Sequence, residues 1–127
     1  MSPSKPRQAS AADQAAVLTK ATLRAATQLG MTSKALATVI GVSEATVSRM
    51  RSGDYLLQRG QKSFELAVLF VRLYRSLDAI VGGDDSVGRL WLRNRNAALN
   101  AEPIALIQTV PGLMNVIQYL DARRAVV

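Results

Sequence analysis

Along the chain, apolar residues recur at helical spacing and are interrupted by glycine-centred breaks. From Ser10 onward, Val17, Leu18, Ala21, Leu23, Ala25 and Leu29 mark the apolar side of a predicted first helix ending at Leu29. Ser10 suits its N-cap, Asp13 the positive end of its dipole, and Gly30 its termination. Thr32 or Ser33 opens a short helix reaching about Ile40. Gly41-Val42 then turns the chain, and Ser43 caps a helix to about Ser52, closed by Gly53-Asp54. A longer helix is predicted over about Gln61–Val81. Within it Phe64–Val71 is apolar almost all round, and Leu73, Tyr74, Leu77 and Ile80 extend it by two turns. A surface helix buries one stripe, so this one needs cover over most of its circumference. A central core helix meets that need, and so does a core helix that also pairs with a second copy. Ser86 is expected to cap Val87–Arg95, and Pro103 to start a helix over Ile104–Gln108. Thr109-Val-Pro-Gly112 reads as a break before a last helix, Leu113–Arg123. No segment alternates like a strand and no repeat is evident, so the expected fold is all-α.

This pattern divides the chain into a flexible basic tail at 1–9, a first helical unit at 10–60, a central helix at 61–82, and a C-terminal helical unit at 83–127. The tail holds two prolines, two serines and two basic residues without apolar periodicity, and could touch phosphates. With 127 residues there is room for one domain, or for two small helical units sharing a core. Aromatics are only 5% of the chain, so Ala, Leu, Val and Ile must build that core.

Charge and chemistry narrow the function. Sixteen Lys+Arg against nine Asp+Glu give a net charge of +7, which suits a polyanionic partner such as nucleic acid or an acidic membrane surface. The absence of Cys and His removes zinc fingers, disulfide scaffolds and Cys- or His-dependent nucleophile systems. Asp84–Asp85 is the only adjacent acidic pair, and its place after Gly82-Gly83 reads as a loop and helix start. No glycine-rich loop precedes a Lys-Ser/Thr pair. The sequence therefore argues against an enzyme, and predicts no metal and no cofactor. No stretch approaches the ~20 apolar residues that span a bilayer, and residues 1–7 lack the apolar run of a secretory signal. A cytoplasmic protein without a membrane partner is expected.

Residues 33–52 carry the most specific pattern. Ala37 is small where two helices must cross closely, Gly41 can take the positive φ of a tight turn, and Val42 points inward to seal the angle. At 100° per residue, Val47 and Met50 share one side of the following helix, with Arg51 at its edge. Ala45, Ser48, Arg49 and Ser52 occupy the opposite side. A small, polar, basic outer face suits insertion in a major groove about 12 Å wide. This is the arrangement of a helix-turn-helix whose second helix reads double-stranded DNA. The simpler reading is a helical hairpin with Gly at its bend.

Arg49 is suited to bidentate contact with guanine O6 and N7. Ser43, Thr46 and Ser48 can bond phosphates or base edges, and Ala45 can pack on a thymine methyl. Glu44 can accept from cytosine or simply favour the helix dipole. Lys34, Arg51 and Arg59 are better placed for phosphates.

The stretch SKALATVIGVSEATVSRMRSG resembles the Xre (phage-repressor-like) helix-turn-helix family. Farther on, WLRNRNAALNAEPIALIQTVPGLMNVIQYL resembles the toxin-binding domain of Xre/MbcA/ParS-type antitoxins. It shares Trp91-Leu92, Asn96–Leu99, Pro103 opening a helix through Leu106-Ile107, Thr109, Gly112, and a final helix with Val116 and Leu120. The resemblance spans roughly residues 30–121. It implies a type II antitoxin that silences a cognate RES-domain, NAD-consuming toxin and represses its own operon, usually as a homodimer or a toxin complex. It also implies toxin contacts near the C-terminus, which fall here on Tyr119, Asp121, Arg123 and Arg124, with Trp91 structural. A basic tail suits a pocket that receives pyrophosphate, although Arg123 and Arg124 would equally complement a helix C-terminal dipole. The alternatives are a stand-alone repressor whose C-terminal half only dimerises or senses a ligand, and a protein-interaction adaptor.

Overall fold

A computed structural model of the protein describes residues 10–126; the expected basic tail at 1–9 lies outside the described residues. Over that range the chain is all-α: α1 Ala11–Gln28, α2 Ser33–Ile40, α3 Glu44–Ser52, α4 Lys62–Ile80, α5 Asp85–Arg93, α6 Pro103–Leu106 and α7 Val110–Val126. The only extended pairing described is an isolated bridge between Asn96 and Ala101.

Local chemistry explains most of the boundaries. At α1, the Ser10 hydroxyl accepts from the Asp13 N–H at 3.1 Å and the Asp13 carboxylate accepts from the Ser10 N–H at 3.2 Å, a complete capping box. Thr32 and Ser43 cap α2 and α3 in the same way, each hydroxyl accepting at 3.0 Å from the amide three residues on. Between these two helices Gly41 sits at φ 72°, a conformation that costs a side-chain-bearing residue strain.

The C-terminal boundaries differ from the expected ones. α5 begins two residues early because Asp84, rather than Ser86, is its cap: the Asp84 carboxylate accepts from the amides of Ser86 and Val87 and from the Ser86 hydroxyl. Those bonds hold the Asp84 carboxyl below the usual carboxylate range, the Ser86 hydroxyl contributing most. α7 begins three residues early, so Pro111-Gly112 lies in its first turn rather than in a break. Proline is tolerated there because first-turn amides need no helical partner. Thr109 starts the helix, its hydroxyl accepting from the Gly112 N–H at 3.2 Å. Gly112 is required by crowding: a Cβ there would lie 1.9 Å from the Leu106 carbonyl oxygen.

The core is one continuous body centred on α4. Leu66, Ala67, Phe70, Leu73 and Leu77 of α4 are buried together with Leu36 and Ile40 of α2, Val47 and Met50 of α3, and Leu113, Val116, Ile117 and Leu120 of α7. α4 packs on α1, α2, α5 and α7, so the helix that is apolar nearly all round finds most of its cover within the chain. Val68 is the exception, at 45% exposure.

On α1 the expected stripe is met in part: Ala25 and Leu29 are buried, and Leu18 and Leu23 pack against the core. Val17, however, is 69% exposed, and Ala15, Thr19, Thr22 and Ala26 complete the buried face instead. The threonines are admissible inside because their hydroxyls are satisfied. Thr19 donates to the Ala15 carbonyl at 2.7 Å and accepts from the Leu57 N–H at 2.9 Å, and Thr22 donates to the Leu18 carbonyl. The Thr19–Leu57 bond also ties the loop after α3 to α1.

Two arginines of α5 clasp the far end of α1. Arg89 Nε donates to the Gln28 carbonyl at 2.8 Å and an Arg93 Nη donates to the Gly30 carbonyl at 2.9 Å. These donors meet the negative end of the α1 dipole. Tyr74 links α4 to α5 through its hydroxyl, which donates to Asp85 at 3.3 Å. Burial and then the nearby charges of Asp78 and Asp85 push the Tyr74 phenol above its ordinary range, against the pull of Arg24.

Candidate nucleic-acid interface and C-terminal surface

The turn between α2 and α3 is held from inside. The amides of Gly41 and Val42 both donate to the Ala37 carbonyl, Ala37 is buried, and Val42 is half-buried against the core. α3 turns Val47 and Met50 inward, at 0% and 3% exposure, so its opposite side faces solvent. Glu44, Ala45, Ser48, Arg49 and Ser52 are all exposed there. The outer face expected of a recognition helix is thus present as a single surface.

Within that surface the groups differ in readiness. The Ser43 and Thr46 hydroxyls lie 2.9 Å apart at the α3 N-cap, and Arg49 donates to the Thr46 hydroxyl at 3.2 Å. Arg49 therefore lies back along its own helix, held by one exposed neutral contact. Ser52 donates to the Arg49 carbonyl and to Asp54, closing the helix end. Arg51, exposed at the flank, donates through Nε to the Ser33 hydroxyl at 3.1 Å. This brings its guanidinium beside the N-terminal turn of α2, where Lys34 is also exposed. Amides at a helix start together with two cations make a positively charged corner beside the exposed α3 side chains. Arg59 is exposed in the loop after α3.

The C-terminal candidates do not form one patch. Tyr119 stacks on Trp91, ring centroids 6.3 Å apart and planes at 18°, and the Arg123 guanidinium lies 5.9 Å from the Tyr119 centroid. Asp121 and Arg124 face the other way, toward α4. The Asp121 carboxylate accepts from the Ser76 hydroxyl at 2.9 Å and pairs with Arg72, while Arg124 donates to the Ser76 hydroxyl at 3.2 Å. Partial burial pushes the Asp121 carboxyl up, but the bonds from Ser76 and Arg72 outweigh it and hold the group below the ordinary carboxylate range. Ser76 and Arg72, which organise this cluster, had no signal in the sequence beyond their place on a helix. Exposed apolar side chains also occur in this half, at Val87, Leu90 and Val110.

The chain belongs to the antitoxin Xre-like helix-turn-helix family, which it matches over residues 8–72, just over half of its length. Residues 76–125 match the antitoxin Xre/MbcA/ParS C-terminal toxin-binding domain. Together the two matches make it an antitoxin of the Xre/MbcA/ParS type, with a DNA-binding and a toxin-binding part. The first match runs well into α4, and the second begins at Ser76 near its end, so the two parts meet on this helix. A search of curated proteins found no match. Among the described residues no helix is long and apolar enough to cross a membrane.

Proposed function

We propose that this antitoxin binds and neutralises a RES-type, NAD-consuming toxin in the cytoplasm and represses its own operon as a homodimer. It acts by binding, without catalysis of its own. One observation carries the reading: a solvent-facing, small and basic α3 surface stands in the same folded body as a match to a toxin-binding domain. Arg49 reads a guanine, while Ser43, Glu44, Ala45, Thr46 and Ser48 contact neighbouring bases or phosphates. Lys34 and Arg51 hold the backbone beside the α2 start. Two such units related by a two-fold axis would meet successive major grooves of a palindromic operator. Tyr119 and Arg123 form the aromatic and cationic contact to toxin, and Asp121 and Arg124 shape the α7 end that carries it.

Co-expression with the product of the neighbouring gene tests both halves. The two proteins should co-purify, and cells should grow. Truncation after Leu120 should restore toxicity while most operator binding remains. Normal growth with the truncated chain would remove the tail from the inhibitory role. Operator binding with no co-purifying partner would favour a stand-alone repressor.

A further inference from the structure

We propose that the groove between α1 and α7 is a binding site for a small amphipathic anion, with an apolar body and one carboxylate or phosphate head. This goes beyond the antitoxin reading and does not depend on it. α1 and α7 each pack chiefly on α4 rather than on each other. That leaves a groove of about 640 Å³ floored by α4, within the range of about 300–1,000 Å³ usual for small-molecule sites. Val17, Leu18 and Ala21 line it from α1, and Val68 and Val71 from α4. The exposure of Val17 and Val68 matters here. Other solvent-facing positions of the same helices carry Lys20, Arg24 and Glu65, and nothing in the fold requires valine at these two.

The polar end of the groove supplies the charge selection. Arg72, Arg75 and Arg124 converge there from α4 and α7, and α1 contributes no cation. Asp121 engages Arg72 and Ser76, and Arg124 bonds Ser76. Arg75 has no hydrogen-bond partner among the described residues. Asp13, the other acid of the lining, bonds the Ser10 amide of its own cap. The lining thus holds three guanidinium groups against the two carboxylates of Asp13 and Asp121. Arg72 and Arg124 are engaged at the Asp121–Ser76 cluster. Arg75 stands beside the apolar floor as the uncommitted cation, which suits one compact anionic head on a greasy body. A second copy of the chain is the competing occupant. Apolar cover alone would suit a two-fold interface, but such an interface leaves the unpartnered Arg75 without a role, and Arg75→Gln and Val17→Gln separate the two occupants.

The full chain can be titrated with 8-anilinonaphthalene-1-sulfonate, followed by displacement with decanoate, decan-1-ol or decylamine. Saturable dye binding is expected, with decanoate displacing dye at least about tenfold more effectively than decan-1-ol, and decylamine the weakest. Arg75→Gln should abolish the decanoate preference while leaving decan-1-ol unchanged, and Val17→Gln should weaken both. Both side chains are exposed, and unchanged circular dichroism would establish that the variants fold. Decyl phosphate matching decanoate would extend the site to phosphate heads, and its failure would restrict the site to carboxylates. Equal displacement by decanoate and decan-1-ol would overturn the proposal. So would a preference that survives Arg75→Gln, or absent dye binding with a dimer that Val17→Gln dissociates.

Discussion

The outer face of α3 and the last turns of α7 both present short runs of polar and basic residues, yet the fold uses them differently. On α3, two buried side chains, Val47 and Met50, hold the helix down, and the polar groups opposite bond only one another and their own helix ends. On α7, Asp121 and Arg124 are engaged with Ser76 and Arg72 of α4, and Tyr119 is stacked on Trp91. A polar residue is available to a partner when apolar neighbours alone suffice to dock its helix. It is partly committed when it lies at the seam of two packed helices. The polar groups of the α3 face are therefore bonded only within their own helix and its ends, whereas Asp121 and Arg124 of α7 are tied to a neighbouring helix.

The comparison depends on both regions hanging from one core. Phe70→Ala, at a fully buried site on α4, should cost about 3–5 kcal/mol and abolish operator and toxin binding together. A melt resolving two separate transitions would show instead that the regions fold independently. Gly112→Ala should cost about 1–3 kcal/mol through overpacking against the Leu106 carbonyl, measured by denaturant unfolding. Its effect should fall on toxin binding more than on the operator.

Arg49→Ala sharpens the contrast from the other side. It should weaken operator binding by about 1–3 kcal/mol and relax selectivity at one base pair while leaving the melting temperature nearly unchanged. Unchanged selectivity in a base-by-base binding scan would remove Arg49 from base reading. Ser43→Ala takes away the α3 cap and should cost about 1 kcal/mol of stability, with weaker operator binding at equal protein concentration.

The smallest effect is electrostatic. The Asp121 carboxyl is held below its unfolded value, so its ionised form stabilises the fold fully above about pH 3.9. That contribution is lost as pH falls through the folded value. Asp121→Asn should lower stability at neutral pH and flatten the acid limb of a stability–pH curve. An unaltered acid limb would mean the α4–α7 cluster contributes nothing.

Much of this was legible before any tertiary contact. Ser10, Thr32, Ser43, Gly41 and Gly53 mark helix ends through bonds and backbone angles within a few residues of themselves, so sequence spacing located α1 to α3 closely. The α3 face was legible for the same reason: nine residues at 100° each determine which side Val47 and Met50 share. The α5 start was harder because Asp84 and Ser86 are both competent caps, and only the folded loop chose the carboxylate. The α7 start misled because Pro-Gly usually breaks a helix, and its role in a first turn depends on Thr109 and on the approach of the Leu106 carbonyl.

The sequence by itself determined an all-α chain with one helix surface free of bulky apolar groups, because periodicity and capping are local. Tertiary structure alone decided that Thr19 and Thr22 are interior while Val17 is exposed. It also decided that Asp121 and Arg124 turn away from Tyr119 and Arg123, and that α1 and α7 flank α4 with a groove between them. Those outcomes depend on which helices meet, and residues tens of positions apart set that through shape and hydrogen bonding that no local pattern encodes.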